Sequence, residues 1–160
     1  MPKAASKGEN QGFAIDLSFT RAVDLALALS AIVFLAPLML VVAAVVYIVD
    51  PGPILFGHRR LGRHGRTFRC WKFRSMIVDS DARLRELLEK DPLARAEWEA
   101  DHKLRDDPRI TKIGHFLRKS SLDELPQFFN VLFGEMSLVG PRPIVGDEIV
   151  KYGRYFANYC

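Results

Sequence analysis

Cysteine is nearly absent from this 160-residue sequence, where Cys70 and Cys160 are the only two. They show no metal-ligand spacing and build no disulfide framework, which excludes a stapled secreted scaffold and fits a reducing, cytosolic face. The four histidines, His58, His64, His102 and His115, show neither HxxxH nor HExxH spacing, so nothing points to a zinc centre. No nucleophilic triad emerges either. Charge is missing in two places. Leu25 to Val49 is a run of 25 residues with no charge at all, and between Pro51 and Val78 there is no acid, while Arg59, Arg60, Arg63, Arg66, Arg69, Lys72 and Arg74 all occur. The first absence marks a membrane segment. The second marks a surface for an anionic partner.

What is present is unevenly placed. The chain is 49% hydrophobic with a net charge of +4, and its length suits one domain of ordinary size beside the apolar run. Residues 1–20 read as a flexible, polar tail, 21–50 as a membrane-inserted helix and 51–160 as a cytosolic domain. The apolar run exceeds a signal-peptide core and Asp50-Pro51-Gly52-Pro53 is no small-residue cleavage site, so a retained anchor is expected. Pro37 falls near its midpoint, where a missing N–H and a ring clash predict a kink. Cations flank both ends, with Lys3, Lys7 and Arg21 before and the arginine cluster after, which pulls both ends to the cytosol. A re-entrant hairpin in one leaflet satisfies both features; a kinked helix that crosses the bilayer is the alternative. Arg21 and Asp24, three apart, are expected to pair at the interface, or Arg21 to snorkel as an anchor.

Beyond the turn at 50–53, Ile54-Leu55-Phe56 opens one strand and Thr67–Phe73 returns as its hairpin partner. Most of its early arginines suit anionic lipid headgroups. Lys72 and Arg74 alternate with Phe73, so they are expected on one face, either converging on a diphosphate or simply solvated. Asp79 to about His102 reads as two helices broken at Pro92, with Leu84, Leu87 and Leu88 as a stripe packing on the core. Asp106-Asp107-Pro108-Arg109 is a turn rather than a metal site. A helix follows from about Thr111 to Arg118, then another ending at Gly134, then an extended Met136–Val139 leading to Pro141-Arg142-Pro143. Two prolines stiffen the loop at Arg142, which suits either a bidentate phosphate contact or a solvent-facing turn.

Between those helices lies an acid pair among cations, Asp123 and Glu124, in Arg118-Lys119-Ser120-Ser121-Leu122-Asp123-Glu124-Leu125-Pro126. Ser121 and Glu124 have capping-box spacing ahead of the apolar run Leu125–Phe133, which predicts a helix start. A helix N-terminus favours phosphate nearby and would keep Asp123 ionised. The overall expectation is a mainly α fold with a small β-hairpin: a kinked re-entrant membrane helix plus a cytosolic α+β domain.

Several of these blocks, in order, resemble one family. Pro51-Gly52-Pro53-Ile54-Leu55-Phe56, Arg60-Leu61-Gly62-Arg63-His64-Gly65, Trp71-Lys72-Phe73-Arg74-Ser75-Met76, Asp107-Pro108-Arg109-Ile110-Thr111, the stretch Leu117–Gln127 and Gly134–Pro143 are similar to the monotopic bacterial phosphoglycosyl transferases, the bacterial sugar transferase family. The resemblance runs from about Thr20 to Pro143. It implies transfer of a sugar 1-phosphate from a UDP-sugar to undecaprenyl phosphate at the cytosolic face of the bacterial inner membrane, the opening step of exopolysaccharide or other glycoconjugate synthesis. UMP is the second product, Mg²⁺ is required and no nucleic acid is involved. Carried over, Asp123 is the nucleophile that forms a phosphosugar-enzyme, Glu124 is its partner in the dyad, helping hold the metal or position the incoming phosphate, and Asp123 and Glu124 are the metal residues. Lys72, Arg74, Arg118 and Arg142 are the phosphate-binding cations, with Arg142 at the nucleotide. Exopolysaccharide-initiating members suggest galactose or glucose, and relatives of this architecture often form homodimers. The family often has Ser before the mid-helix proline where this chain has Ala36. Longer members continue past the position of Cys160, so the catalytic domain at 51–160 is expected to be incomplete at its C-terminus. The competing class is an inactive membrane-anchored basic scaffold or binding module, which leaves the acid pair unexplained.

Overall fold

The computed structural model describes residues 17–62 and 66–139. Its architecture is mainly helical, with one small antiparallel sheet and one long apolar helix at the start. That helix, α1, runs Leu17–Val49 and contains Pro37. The α-helix continues through the proline, so the ladder loses the bond that Pro37 cannot donate without the chain leaving the helix.

The hairpin forms as the alternation suggests, β1 at Leu55–Leu61 and β2 at Thr67–Phe73, with Leu55 opposite Phe73 and Leu61 opposite Thr67. Gly62 N–H bonds the Arg66 carbonyl at 2.9 Å to close the loop. Next come α2 (Ser80–Lys90) and α3 (Pro92–Asp101), broken at Asp91, whose side chain accepts from Leu93 N and Ala94 N to cap α3. Neither helix has a buried residue, so the leucine stripe at 84, 87 and 88 is half-covered and does not enter the core as expected. Helix α4 (Lys112–Ser120) is capped by Thr111, whose hydroxyl accepts from Gly114 N. A single 3₁₀ turn (Leu122–Glu124) and α5 (Gln127–Phe133) complete the described elements, and Gly134 at φ 81° ends α5 as the sequence predicts. Residues 135–139 are irregular rather than extended strand.

The core is small, and α1 supplies half of it. Val42 and Val46 pack with Phe73 and Leu117, with Ile113, Leu122 and Leu125 around them. The other end of α1 is held by polar contacts. Arg21 and Asp24 do not pair with each other as expected. Arg21 donates to the Val131 and Leu132 carbonyls at 2.6 and 2.8 Å, at the end of α5, and Asp24 accepts from Leu138 N at 3.1 Å. A cation on the last carbonyls of α5 is favoured by its dipole, and Asp24 is 3% exposed, so each finds a better partner than the other. The opposite face of α1 is open, with Val33, Phe34, Leu40 and Ile48 each more than two-thirds exposed.

Asn130, fully buried, fastens α5 to the hairpin. Its Oδ1 accepts from Trp71 N at 3.0 Å and its Nδ2 donates to the Arg69 carbonyl at 2.7 Å, so one side chain pairs with the outer edge of β2 as a third strand would. Docking α5 this way places the turn before it against Lys72.

Candidate active site

The acid pair sits in the 3₁₀ turn, and the capping box does not form. Ser121 adopts left-handed φ 58° as the residue closing α4, and its side chain caps nothing. Pro126 has no N–H to continue a ladder from Leu122, so the run divides into the turn and α5. Glu124 turns away from Ser121 toward a partner 52 residues distant: Lys72 Nζ donates to Glu124 Oε1 at 2.5 Å. The same ammonium lies 4.0 Å from Asp123 Oδ2. One lysine thus bridges both carboxylates.

Their environments differ. The Asp123 side chain is 9% exposed and the Glu124 side chain 44% exposed. Burial pushes the Asp123 carboxyl above the ordinary carboxylate range, and the neighbouring Glu124 charge adds to this, against the opposing pull of Lys72 and Arg118. The expected helix N-terminal field does not lead here: Asp123 lies in the turn before α5, and burial is the largest cause of its shift.

The structure sorts three of the four expected cations. Lys72 is at the acid pair. Arg118, on the last turn of α4, is close enough for its charge to favour ionised Asp123, and its Nε donates to Ser75 Oγ at 2.8 Å. Arg74 faces elsewhere: its Nη2 donates to the Asp50 carbonyl and lies 3.3 Å from Asp50 Oδ2, where it ties the end of α1 to the strand. Alternation predicts Lys72 and Arg74 on one face, but Arg74 lies just past the end of β2 and its side chain takes a different partner. Arg142 lies outside the described residues.

Beside the pair opens a cleft of about 270 Å³ whose lining includes Glu124, Gln127, Leu125, Phe128, Val131 and Leu138. It is apolar apart from its rim. Among the described residues no group of three or more His, Cys, Asp or Glu is placed to hold a metal. Two adjacent carboxylates nevertheless fit Mg²⁺, which takes one or two carboxylates plus water and substrate phosphate oxygens. Asp107 belongs to a separate buried pair. Burial opposes its ionisation, but two bonds from the Arg109 side chain, at 2.8 and 2.7 Å, outweigh that and hold it below the usual range, with Arg109 stacked 5.0 Å over Trp98. Sequence reasoning missed Ser75 and Asn130. The block Trp71–Met76 contained one of them, with no local signal of the role.

A weakly exposed carboxylate, a second acid, a bridging ammonium and a guanidinium together can bind phosphate and present an oxygen nucleophile to phosphorus. The chain is also similar to known proteins. A model of the bacterial sugar transferase family matches residues 15–160. The chain is 65% identical over 103 residues to the undecaprenyl-phosphate galactose phosphotransferase of Salmonella typhimurium, covering 64% of this chain and 22% of that protein. It is 49% identical over 132 residues to the exopolysaccharide production protein ExoY of Sinorhizobium fredii, covering 82% and 58%. It is 42% identical over 139 residues to the UDP-glucose:undecaprenyl-phosphate glucose-1-phosphate transferase of Escherichia coli, covering 87% and 27%. The chain thus spans between about a fifth and three-fifths of the length of these relatives.

Proposed function

The chain belongs to the bacterial sugar transferase family, and from that premise we propose that it moves a sugar 1-phosphate from a UDP-sugar to undecaprenyl phosphate, with Asp123 as the nucleophile. The observation that carries this reading is the buried Asp123 beside Glu124, bridged by Lys72 and neighboured by Arg118. An Asp123 oxygen attacks the sugar-bearing phosphorus of the donor. A P–O bond forms to the carboxylate and the diphosphate bridge breaks, releasing UMP. A phosphate oxygen of the lipid then attacks the same phosphorus and returns Asp123 as a carboxylate. Two steps replace one direct encounter between two polyanions.

The cations lower the repulsion in both steps. Lys72 offsets part of the acid pair's charge before substrate arrives, and Arg118 presents donors to phosphate oxygens, joined in this reading by Arg142. Asp123 and Glu124 would hold Mg²⁺, which supplies further charge neutralisation at the transferred phosphoryl group. Glu124, the more exposed acid, can exchange its bond to Lys72 for substrate or metal. Galactose and glucose are the candidate sugars, in line with the names of the relatives.

The same reading makes α1 a membrane anchor, re-entrant on the cytosolic face. It is supported by the window of mean hydropathy 2.9 within Phe19–Val49 and by the attachment of both ends of α1 to one small domain. An enzyme held in one leaflet meets a lipid phosphate at the headgroup plane without extracting its tail.

The test is UMP release by the purified protein in detergent, with a panel of UDP-sugars, Mg²⁺ and undecaprenyl phosphate. Release confined to one or two donors and lost in Asp123→Asn, which keeps its membrane association, is expected. Equal release by Asp123→Asn would remove Asp123 from the chemistry, and silence across the panel would favour the scaffold.

A further inference from the structure

Ser75 follows β2 and has no place in the chemistry above, yet its hydroxyl is buried and committed. The residue is 8% exposed, and Ser75 Oγ accepts the Nε–H of Arg118 at 2.8 Å. Arg118 is otherwise an exposed residue at the end of α4. A free arginine there would carry substantial rotamer entropy, which any phosphate contact would have to overcome. Holding Nε restricts the chain, and the two Nη groups of this exposed side chain, the pair suited to bidentate phosphate recognition, make no hydrogen bond among the described residues.

The hydroxyl is also fixed from behind. Thr111 N donates to the Ser75 carbonyl at 3.1 Å, and Met76 bridges Ile110 one residue on. Gly114 lets α4 press so close that a Cβ there would lie 1.9 Å from the Ser75 carbonyl oxygen. The start of α4 therefore locks the Ser75 backbone while the end of α4 sends Arg118 back to its side chain. Helix and serine form a closed unit of fixed dimensions.

We propose that Ser75 is a positioning residue that aims the Arg118 guanidinium at a phosphate of the sugar-nucleotide diphosphate. This rests on the reading that Arg118 meets that phosphate. Preorganised in this way, Arg118 pays its ordering entropy during folding rather than at binding.

The test is a double-mutant cycle in the purified full chain, read as the Kd for UDP-galactose and UDP-glucose by titration calorimetry and as kcat/KM for UMP release. Arg118→Ala is expected to weaken binding about tenfold or more. Ser75→Ala is expected to lose about five- to tenfold in Kd and in KM, with kcat and melting temperature nearly unchanged. In the Arg118→Ala background the same serine change should add nothing. Ser75→Thr, which keeps the hydroxyl, should recover most of the binding. Additive losses, or a Ser75→Ala defect that persists without Arg118, would overturn the positioning role while leaving Arg118 at the phosphate. No effect of Arg118→Ala would remove both Arg118 and Ser75 from binding, and retained Asp123-dependent release would still uphold the catalytic reading.

Discussion

Asp123 is a residue kept at some cost to the fold. Burial drives the upward shift of its carboxyl, so the folded protein holds a proton there more tightly than the unfolded chain does. A raised carboxylate pKa means that stability falls as pH rises through the window from the ordinary value of 3.8 to the raised one, and stays lower above it. Asp123→Asn removes the buried charge and leaves Lys72 its bond to Glu124. The variant should therefore melt about 2–4 °C higher than the parent at pH 7, the effect of about 1 kcal/mol in a chain of this size. Below the ordinary carboxylate range the two proteins carry similar neutral groups and their melting temperatures should converge. A lower melting temperature for Asp123→Asn at pH 7 would mean that Lys72 and Arg118 more than repay the desolvation of Asp123. Asp107 has the opposite sign, since its bonds to Arg109 hold it low and contribute stability that acid removes. Two aspartates sixteen positions apart are thus shifted in opposite directions.

At the scale of elements, α4 carries the site on both its ends, and Gly114 is what lets it. Alanine in place of glycine ordinarily steadies a helix by up to about 1 kcal/mol. Here the added methyl would meet the Ser75 carbonyl oxygen at 1.9 Å and its carbon at 2.8 Å, both backbone atoms that cannot swing aside. Overpacking of that kind costs about 1–3 kcal/mol, so the clash wins. Gly114→Ala should lower the melting temperature by several degrees, measured by calorimetry, and weaken sugar-nucleotide binding because Ser75 shifts with its carbonyl. A melting temperature at or above that of the parent would show that α4 can move without loss. The sequence announced much of this region. Helices flanking an acid pair, the hairpin, the break at Pro92 and the glycine ending α5 all follow from local rules of capping, alternation and proline chemistry. The failures are long-range. Ser121 and Glu124 have capping spacing, but Lys72, 52 positions away, draws Glu124 off. Arg21 and Asp24 have pairing spacing, but α5 and Leu138, more than 100 positions away, take both. Ser75 and Asn130 look like ordinary polar residues until folding brings Arg118 and the edge of β2 to them.

For the molecule as a whole, the decisive question is how α1 sits in a bilayer. Thirty-three residues of helix reach about 50 Å, well beyond a hydrocarbon core of about 30 Å. Length alone would permit crossing. The contacts argue otherwise, because Arg21 and Asp24 near one end bind α5 and Leu138, while Val42 and Val46 near the other join Phe73 and Leu117. A straight crossing helix would leave its two ends on opposite faces of the membrane, and one small domain cannot hold both. The outward face, with Phe34 83% exposed and Val33 68% exposed, is strongly apolar, and on the anchor reading proposed above lipid would cover it. On that reading both ends belong on the domain's side, proposed to be the cytosolic one, where the cation clusters at each end would also pull them. Single cysteines at Phe19 and Pro51, with Cys160 replaced by Ser and the buried Cys70 retained, report this directly through a membrane-impermeant maleimide. Both positions should label in inverted inner-membrane vesicles and neither in intact spheroplasts. Labelling from opposite faces would make α1 a crossing helix and require the contacts at one of its ends to break in the membrane. Labelling of both from the periplasmic face alone would instead separate the acid pair from cytosolic UDP-sugars, and with them from the reaction assigned to it.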